Sequence, residues 1–128
     1  MQGHLLAWDP VRRVAAWRVP HAGPWNGGVL ASAGGLVFQG VGGEGLVAFD
    51  ARDGKRLWQS DTWLDILGGP ISYELDGEQY VAAAAGFVGA HQQKGSHAGA
   101  TLLESRVPLR SHPRSIAGRR RRPQHDAG

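Results

Sequence analysis

A twelve-residue pattern occurs twice at one fixed offset, and it constrains this chain more than any other feature. Leu6-Ala7-Trp8-Asp9-Pro10-Val11-Arg12-Arg13-Val14-Ala15-Ala16-Trp17 aligns with Val47-Ala48-Phe49-Asp50-Ala51-Arg52-Asp53-Gly54-Lys55-Arg56-Leu57-Trp58, 41 residues on. The shared frame is Ala, an aromatic, Asp, a gap and then Trp. The apolar runs around it are short and are cut by Gly, Pro or Asp-Gly, so helical periodicity is absent. Strands are predicted at about 5–8, 14–19, 28–33, 36–39, 46–49, 56–59, 71–75 and 79–84. Asp76-Gly77 between two β-rich runs is a two-residue hairpin signal, and Ala33-Gly34-Gly35 joins two further strands. A period of about 40–45 residues with several strands per unit is that of a β-propeller blade. The expected class is all-β.

The pattern has a physical sense. An Asp side chain accepts from backbone N–H groups and closes the turn that follows it, and Gly54 supplies positive φ at the end of such a turn. A Trp on the next strand offers a broad apolar face and one N–H donor, suited to locking neighbouring sheets together.

Charge divides the chain. Residues 1–90 hold 6 Lys/Arg against 9 Asp/Glu, and residues 91–128 hold 8 against 2. The sequence pI near 10 therefore describes the tail and not the body. The expected organisation is a 1–90 partial propeller and a 91–128 basic, low-complexity, disordered tail. Arg119-Arg120-Arg121-Arg122 lacks interleaved aromatics, so a solvated tail is preferred to specific nucleic-acid binding. An Arg-, His-, Ser- and Pro-rich tail is also what reading a GC-rich gene out of frame produces. The absence of Cys excludes a disulfide framework, a thiolate zinc site and covalent haem attachment. Short apolar runs argue against a membrane-spanning helix, and the first ten residues lack the pattern of a secretory signal.

Two motifs are decoys. Gly40-Val41-Gly42-Gly43-Glu44-Gly45 fits G-x-G-x-x-G but is followed by strand and Asp-Gly turn, so a hairpin loop is expected. His4, His21, His91 and His97 lack metal-ligand spacing and are read as surface or turn residues.

The segments LLAWDP, VPHAGPWNGGVLASAGGLVFQG, LVAFDARDGKRLW and GGPISYELDGEQYVAAAAG occur in the order found in pyrroloquinoline-quinone (PQQ) alcohol dehydrogenases, a family of eight-bladed propellers that this chain resembles. Ala48–Trp58 looks like that family's tryptophan-docking motif. Trp25-Asn26-Gly27-Gly28 is similar to its quinohaemoprotein branch, and the likeness fades after residue 86 and is expected to stop at Ala90.

The resemblance implies a C-terminal piece of the propeller: residues 28–58 as one four-stranded blade, 5–17 as the outer half of the blade before, and 71–84 as the inner half of the next. It implies Ala7, Asp9, Trp17, Ala48, Asp50, Gly54 and Trp58 as docking residues. Trp25, Asn26 and Gly27 are implied as contacts to PQQ. The alternative for Trp25 is a turn residue packed into the core. The family couples alcohol oxidation to hydride transfer onto the quinone beside Ca²⁺, uses a separate electron acceptor and works in the periplasm. The Ca²⁺ ligands and the catalytic base have no counterpart among the matched segments, so no catalytic or metal residue is assigned and the piece is expected to be inactive alone. Loop residues Thr62–Leu67 depart from the family's glycine-richer pattern. A non-enzymatic propeller scaffold is the alternative function, and it has no need of Trp25-Asn26-Gly27-Gly28.

Overall fold

A computed structural model describes residues 1–60, 65–86, 101–107 and 118–120. The strands, in chain order, are β1 Gly3–Asp9, β2 Val14–His21, β3 Asn26–Ala31, β4 Leu36–Val41, β5 Gly45–Asp50, β6 Arg56–Gln59, β7 Ile71–Leu75, β8 Glu78–Ala85, β9 Thr101–Val107 and β10 Gly118–Arg120. They form three antiparallel sheets: β1-β2, β3-β4-β5-β6 and β10-β9-β8-β7. All eight expected strands are present: β6 and β7 have the expected bounds, β3 lies two residues earlier, and the others are two or three residues longer.

The central sheet is apolar on both faces. Every residue of β4 and β5 is buried. Because successive side chains point to opposite faces, the two strands feed two cores at once. Leu36, Phe38, Leu46 and Ala48 pack with Ile66 and with Val81, Ala83 and Ala85 on the β7-β8 side. Val37, Val41, Val47 and Phe49 pack with Leu5, Trp17 and Val19 on the β1-β2 side. One blade thus lies between parts of two others, the arrangement of consecutive blades in a propeller.

The turns follow their residue chemistry. Asp76 and Gly77 both take positive φ, at 53° and 74°, the backbone of a two-residue hairpin turn whose twist matches its strands. The G-x-G-x-x-G stretch is the β4–β5 hairpin, with Glu44 N–H donating to the Val41 carbonyl at 2.9 Å. The loop that departs from the family pattern is structurally committed: Ile66 is buried in the core, and an added Cβ at Gly40 would collide with the Ile66 backbone. Residues 61–64 of that loop lie outside the described residues.

Two segments of the basic tail are strands. Thr101–Val107 pairs along β8 from Gln79↔Val107 to Ala85↔Thr101, and Gly118–Arg120 pairs with β9. The physical reason is the exposed edge of β8, whose unpaired N–H and C=O groups accept any segment able to extend. Thr101-Leu102-Leu103-Glu104-Ser105-Arg106-Val107 contains no Pro or Gly to prevent this. The half-blade expected at 71–84 is therefore two strands of a four-stranded sheet. His91, His97, Arg121 and Arg122 lie outside the described residues.

Candidate functional site

The repeat is a repeat of geometry. Ala7 pairs with Trp17, and Ala48 pairs with Trp58. Each ladder shifts register at the same step, after Ala7 and after Ala48, leaving Ala16 and Leu57 as the extra residues of matching bulges. Asp9 Oδ1 accepts from the N–H of Val11 at 2.9 Å and of Arg12 at 3.0 Å. Asp50 Oδ1 accepts from the N–H of Arg52 at 2.9 Å. Arg13 and Gly54, 41 residues apart, both take positive φ, at 55° and 74°.

The first Trp ties one sheet to the next. Trp17 Nε1 donates to the Ala51 carbonyl at 3.0 Å, inside the second turn. Its ring lies over Gly54, where an added Cβ would stand 2.7 Å from Cε3. Asp50 anchors that turn: Lys55 and Gly54 close it through the Asp50 backbone, and the Arg52 side chain grips the carboxylate at both oxygens, 3.0 and 2.7 Å. The Arg52 side chain and backbone N–H hold the Asp50 carboxyl at about 2, below its ordinary 3.8. Trp58 packs at the edge of the core formed by Ala48, Ala83 and Ala85.

Trp25, Asn26 and Gly27 come together at the start of β3, an edge strand of the central sheet. Trp25 is 75% exposed, so it is not a turn residue packed into the core. Asn26 turns its amide into the loop: Nδ2 donates to the Gly23 carbonyl at 3.0 Å, and Oδ1 accepts from Gly42 N–H at 3.4 Å. Gly27 is packed so closely against the Ile66 carbonyl that a Cβ there would collide with it. Gly28 N–H reaches the Leu67 carbonyl at 3.3 Å. The indole therefore stands on a backbone fixed from below on several sides.

Below it lies a pair of buried polar residues that sequence reasoning missed. Gln39 Nε2 donates to the Gly27 carbonyl at 3.2 Å, and Gln39 Oε1 stands 3.0 Å from His21 Nε2. Since the carboxamide oxygen can only accept, the hydrogen-bond network assigns the proton of His21 to Nε2. His21 is 4% exposed, against the expectation of a surface or turn histidine, because the end of β2 folds over Phe49, whose ring centroid is 6.3 Å away. His4 is exposed, as expected. A signal for Gln39 did exist in the sequence: it is the one polar side chain between Val37 and Val41 on a face that is otherwise apolar. Among the described residues there is no group of three or more His, Asp or Glu placed to hold a metal ion. No helix among them is long and apolar enough to cross a membrane.

Comparison with known proteins agrees with this architecture. The β-propeller domain family of glucose, ethanol and alcohol dehydrogenases, named PQQ, matches residues 7–81. The 1-butanol dehydrogenase (cytochrome c) of Thauera butanivorans is 49% identical over 89 residues, 70% of this chain and 13% of that protein. The quinohemoprotein alcohol dehydrogenase of Comamonas testosteroni is 43% identical over 122 residues, 95% of this chain and 16% of that protein. This second match runs past residue 90 into the basic tail, beyond the point where the likeness was expected to stop. The solved structure of the quinohemoprotein alcohol dehydrogenase ADHIIG from Pseudomonas putida HK5 superposes with a TM-score of 0.72 at 34% identity, covering 98% of this chain and 20% of that one. The chain thus spans only about 13–16% of the length of these curated relatives. Repeat geometry, sheet order and these matches agree, and the chain belongs to the PQQ β-propeller family of the quinoprotein and quinohaemoprotein alcohol dehydrogenases.

Proposed function

We propose that this chain forms part of the cofactor-bearing propeller of a PQQ-dependent alcohol dehydrogenase, and that Trp25 is its contact with the quinone. The observation that carries this reading is a large aromatic side chain, three-quarters exposed, held on a backbone that is packed and hydrogen-bonded beneath it. Exposing an indole forgoes its burial energy, about 1.5–3 kcal/mol for a large apolar side chain, and a ligand face recovers that loss.

The residues present fit a planar, polyanionic group in a specific division of labour. Trp25 would present its ring, since flat apolar contact is what a fused quinone offers. Asn26 would hold the loop, because both ends of its amide are already engaged inside it. Gly27 and Gly28 would serve by close packing against the 66–69 segment. When bound, the quinone supplies the hydride acceptor for alcohol oxidation. The chain itself orients that group and excludes water from one side of it. Ala7, Asp9 and Trp17, with Ala48, Asp50, Gly54 and Trp58, would be the docking residues that hold successive blades in register, as the Trp17–Ala51 contact illustrates.

The named relatives are alcohol dehydrogenases, which favours this reading over a non-enzymatic scaffold. Titration of the 1–128 chain with PQQ, followed by tryptophan fluorescence corrected for absorption by the quinone, tests it. Saturable quenching that Trp25→Ala abolishes supports the assignment. Quenching that survives Trp25→Ala refutes it. With PQQ, Ca²⁺, a primary alcohol and a dye acceptor, the chain is expected to show no turnover, because it spans only about 13–16% of the length of its relatives.

A further inference from the structure

The buried His21–Gln39 pair has no part in the blade repeat: its two residues lie outside the Ala–aromatic–Asp–Trp frame. It occupies the interface between β2 and β4, directly beneath Gly27. Two polar side chains, 4% and 6% exposed, cost desolvation wherever they stand, so their place in the interior calls for a purpose beyond packing. Their hydrogen bonds run in one direction: His21 Nε2–H to Gln39 Oε1, then Gln39 Nε2–H to the Gly27 carbonyl. His21 Nδ1 is buried with no hydrogen-bond partner among the described residues. The ring thus makes its one bond toward Gln39 and leaves its other nitrogen unpaired, which a purely structural residue would avoid.

We infer that His21 and Gln39 are positioning residues for Trp25, fixing the Gly27 carbonyl and thereby the backbone from which the indole projects. The Gly27 carbonyl lies in the irregular step between the pairs Asn26↔Val41 and Val29↔Gln39, where the β3–β4 ladder does not fix it. The Gln39 carboxamide supplies the missing bond, and His21 holds that carboxamide in the one orientation that donates to Gly27. A carboxylate at position 39 would accept from His21 but could not donate to Gly27, so Gln39→Glu separates the two functions. The inference rests on reading Trp25 as the quinone contact, and the tryptophan resonances test the positioning without the quinone.

The test is ¹⁹F NMR of the 1–128 chain labelled with 5-fluorotryptophan, with the Trp25 resonance identified by its loss in Trp25→Phe. In Gln39→Glu the Trp25 resonance should shift or split, while those of Trp17 and Trp58 stay in place. His21→Ala should do the same, and His21→Gln, which restores an N–H donor near the position of Nε2, should return the Trp25 resonance toward its original place. The apparent PQQ dissociation constant should rise about fivefold in Gln39→Glu, the worth of one hydrogen bond. A Trp25 resonance unmoved in both Gln39→Glu and His21→Ala would overturn the inference. So would collapse of all tryptophan resonances together in both variants, since the pair would then be holding the core and not the site. A Trp25 shift without any PQQ binding would leave the positioning intact and remove the quinone reading instead.

Discussion

The two copies of the repeat have the same backbone and different surroundings. In both, an Ala–Trp pair, a bulge one residue later, an Asp-closed turn and a left-handed residue follow in the same order. The second copy, on β5-β6, is covered: Phe49 is fully buried and Asp50 is 5% exposed. The first copy, on β1-β2, is more open: the corresponding Trp8 is 57% exposed, Asp9 is half-buried and Arg13 is exposed. The difference separates two reasons for a glycine. Arg13 shows that the turn's left-handed residue need not be Gly, at a strain cost of about 1–2 kcal/mol. Gly54 is additionally required because the Trp17 ring lies on it. Conformation allows a side chain there, and the neighbouring blade does not.

This contrast can be tested by matched substitutions in urea unfolding. The largest expected difference is between the aromatic positions: Phe49→Ala should cost about 3–5 kcal/mol, and Trp8→Ala about 1 kcal/mol or less. Similar costs would show that the first copy is covered in solution after all. Next is Gly54→Ala, expected to cost about 2–3 kcal/mol from positive φ and the clash with Trp17 together. In a Trp17→Ala background that penalty should fall to about 1–2 kcal/mol, leaving the φ cost and the approach of Val19 Cγ2 at 3.0 Å. An unchanged penalty would mean that Trp17 does not rest on Gly54.

A smaller effect belongs to the Asp50 carboxylate. The folded Asp50 carboxyl titrates at about 2 and the unfolded one near 3.8, so its contribution is present above pH 3.8 and disappears as the pH falls toward 2. Asp50→Asn should flatten that part of the acid-unfolding curve, and a curve as steep as wild type would contradict the Arg52 contact. The smallest expected change is Arg13→Gly, within about 1 kcal/mol of wild type, since relief of strain and added freedom of the unfolded chain nearly cancel. A larger loss would mean that Arg13 has a partner of its own in solution.

The blade was legible in the sequence because its signals are local. Asp76-Gly77 sets its own turn, and the Asp9 and Asp50 turns need only residues within a few positions. Trp25-Asn26-Gly27 was legible as a group, but the roles within it were not. That Asn26 faces into the loop depends on Gly42, sixteen residues away, and the position of Gly27 depends on Ile66. The burial of His21 was likewise hidden, because it follows from the end of β2 crossing over Phe49. The strands in the tail could not be read from composition, because pairing on β8 depends on an open edge and not on the tail's own preference.

The central claim is that Trp25 meets the quinone. Titrating PQQ into the 5-fluorotryptophan-labelled chain addresses it at the residue itself. The Trp25 resonance should move saturably while those of Trp17 and Trp58, committed to the sheets, stay fixed. A Trp25 resonance that stays in place, or three resonances that move together, would contradict it.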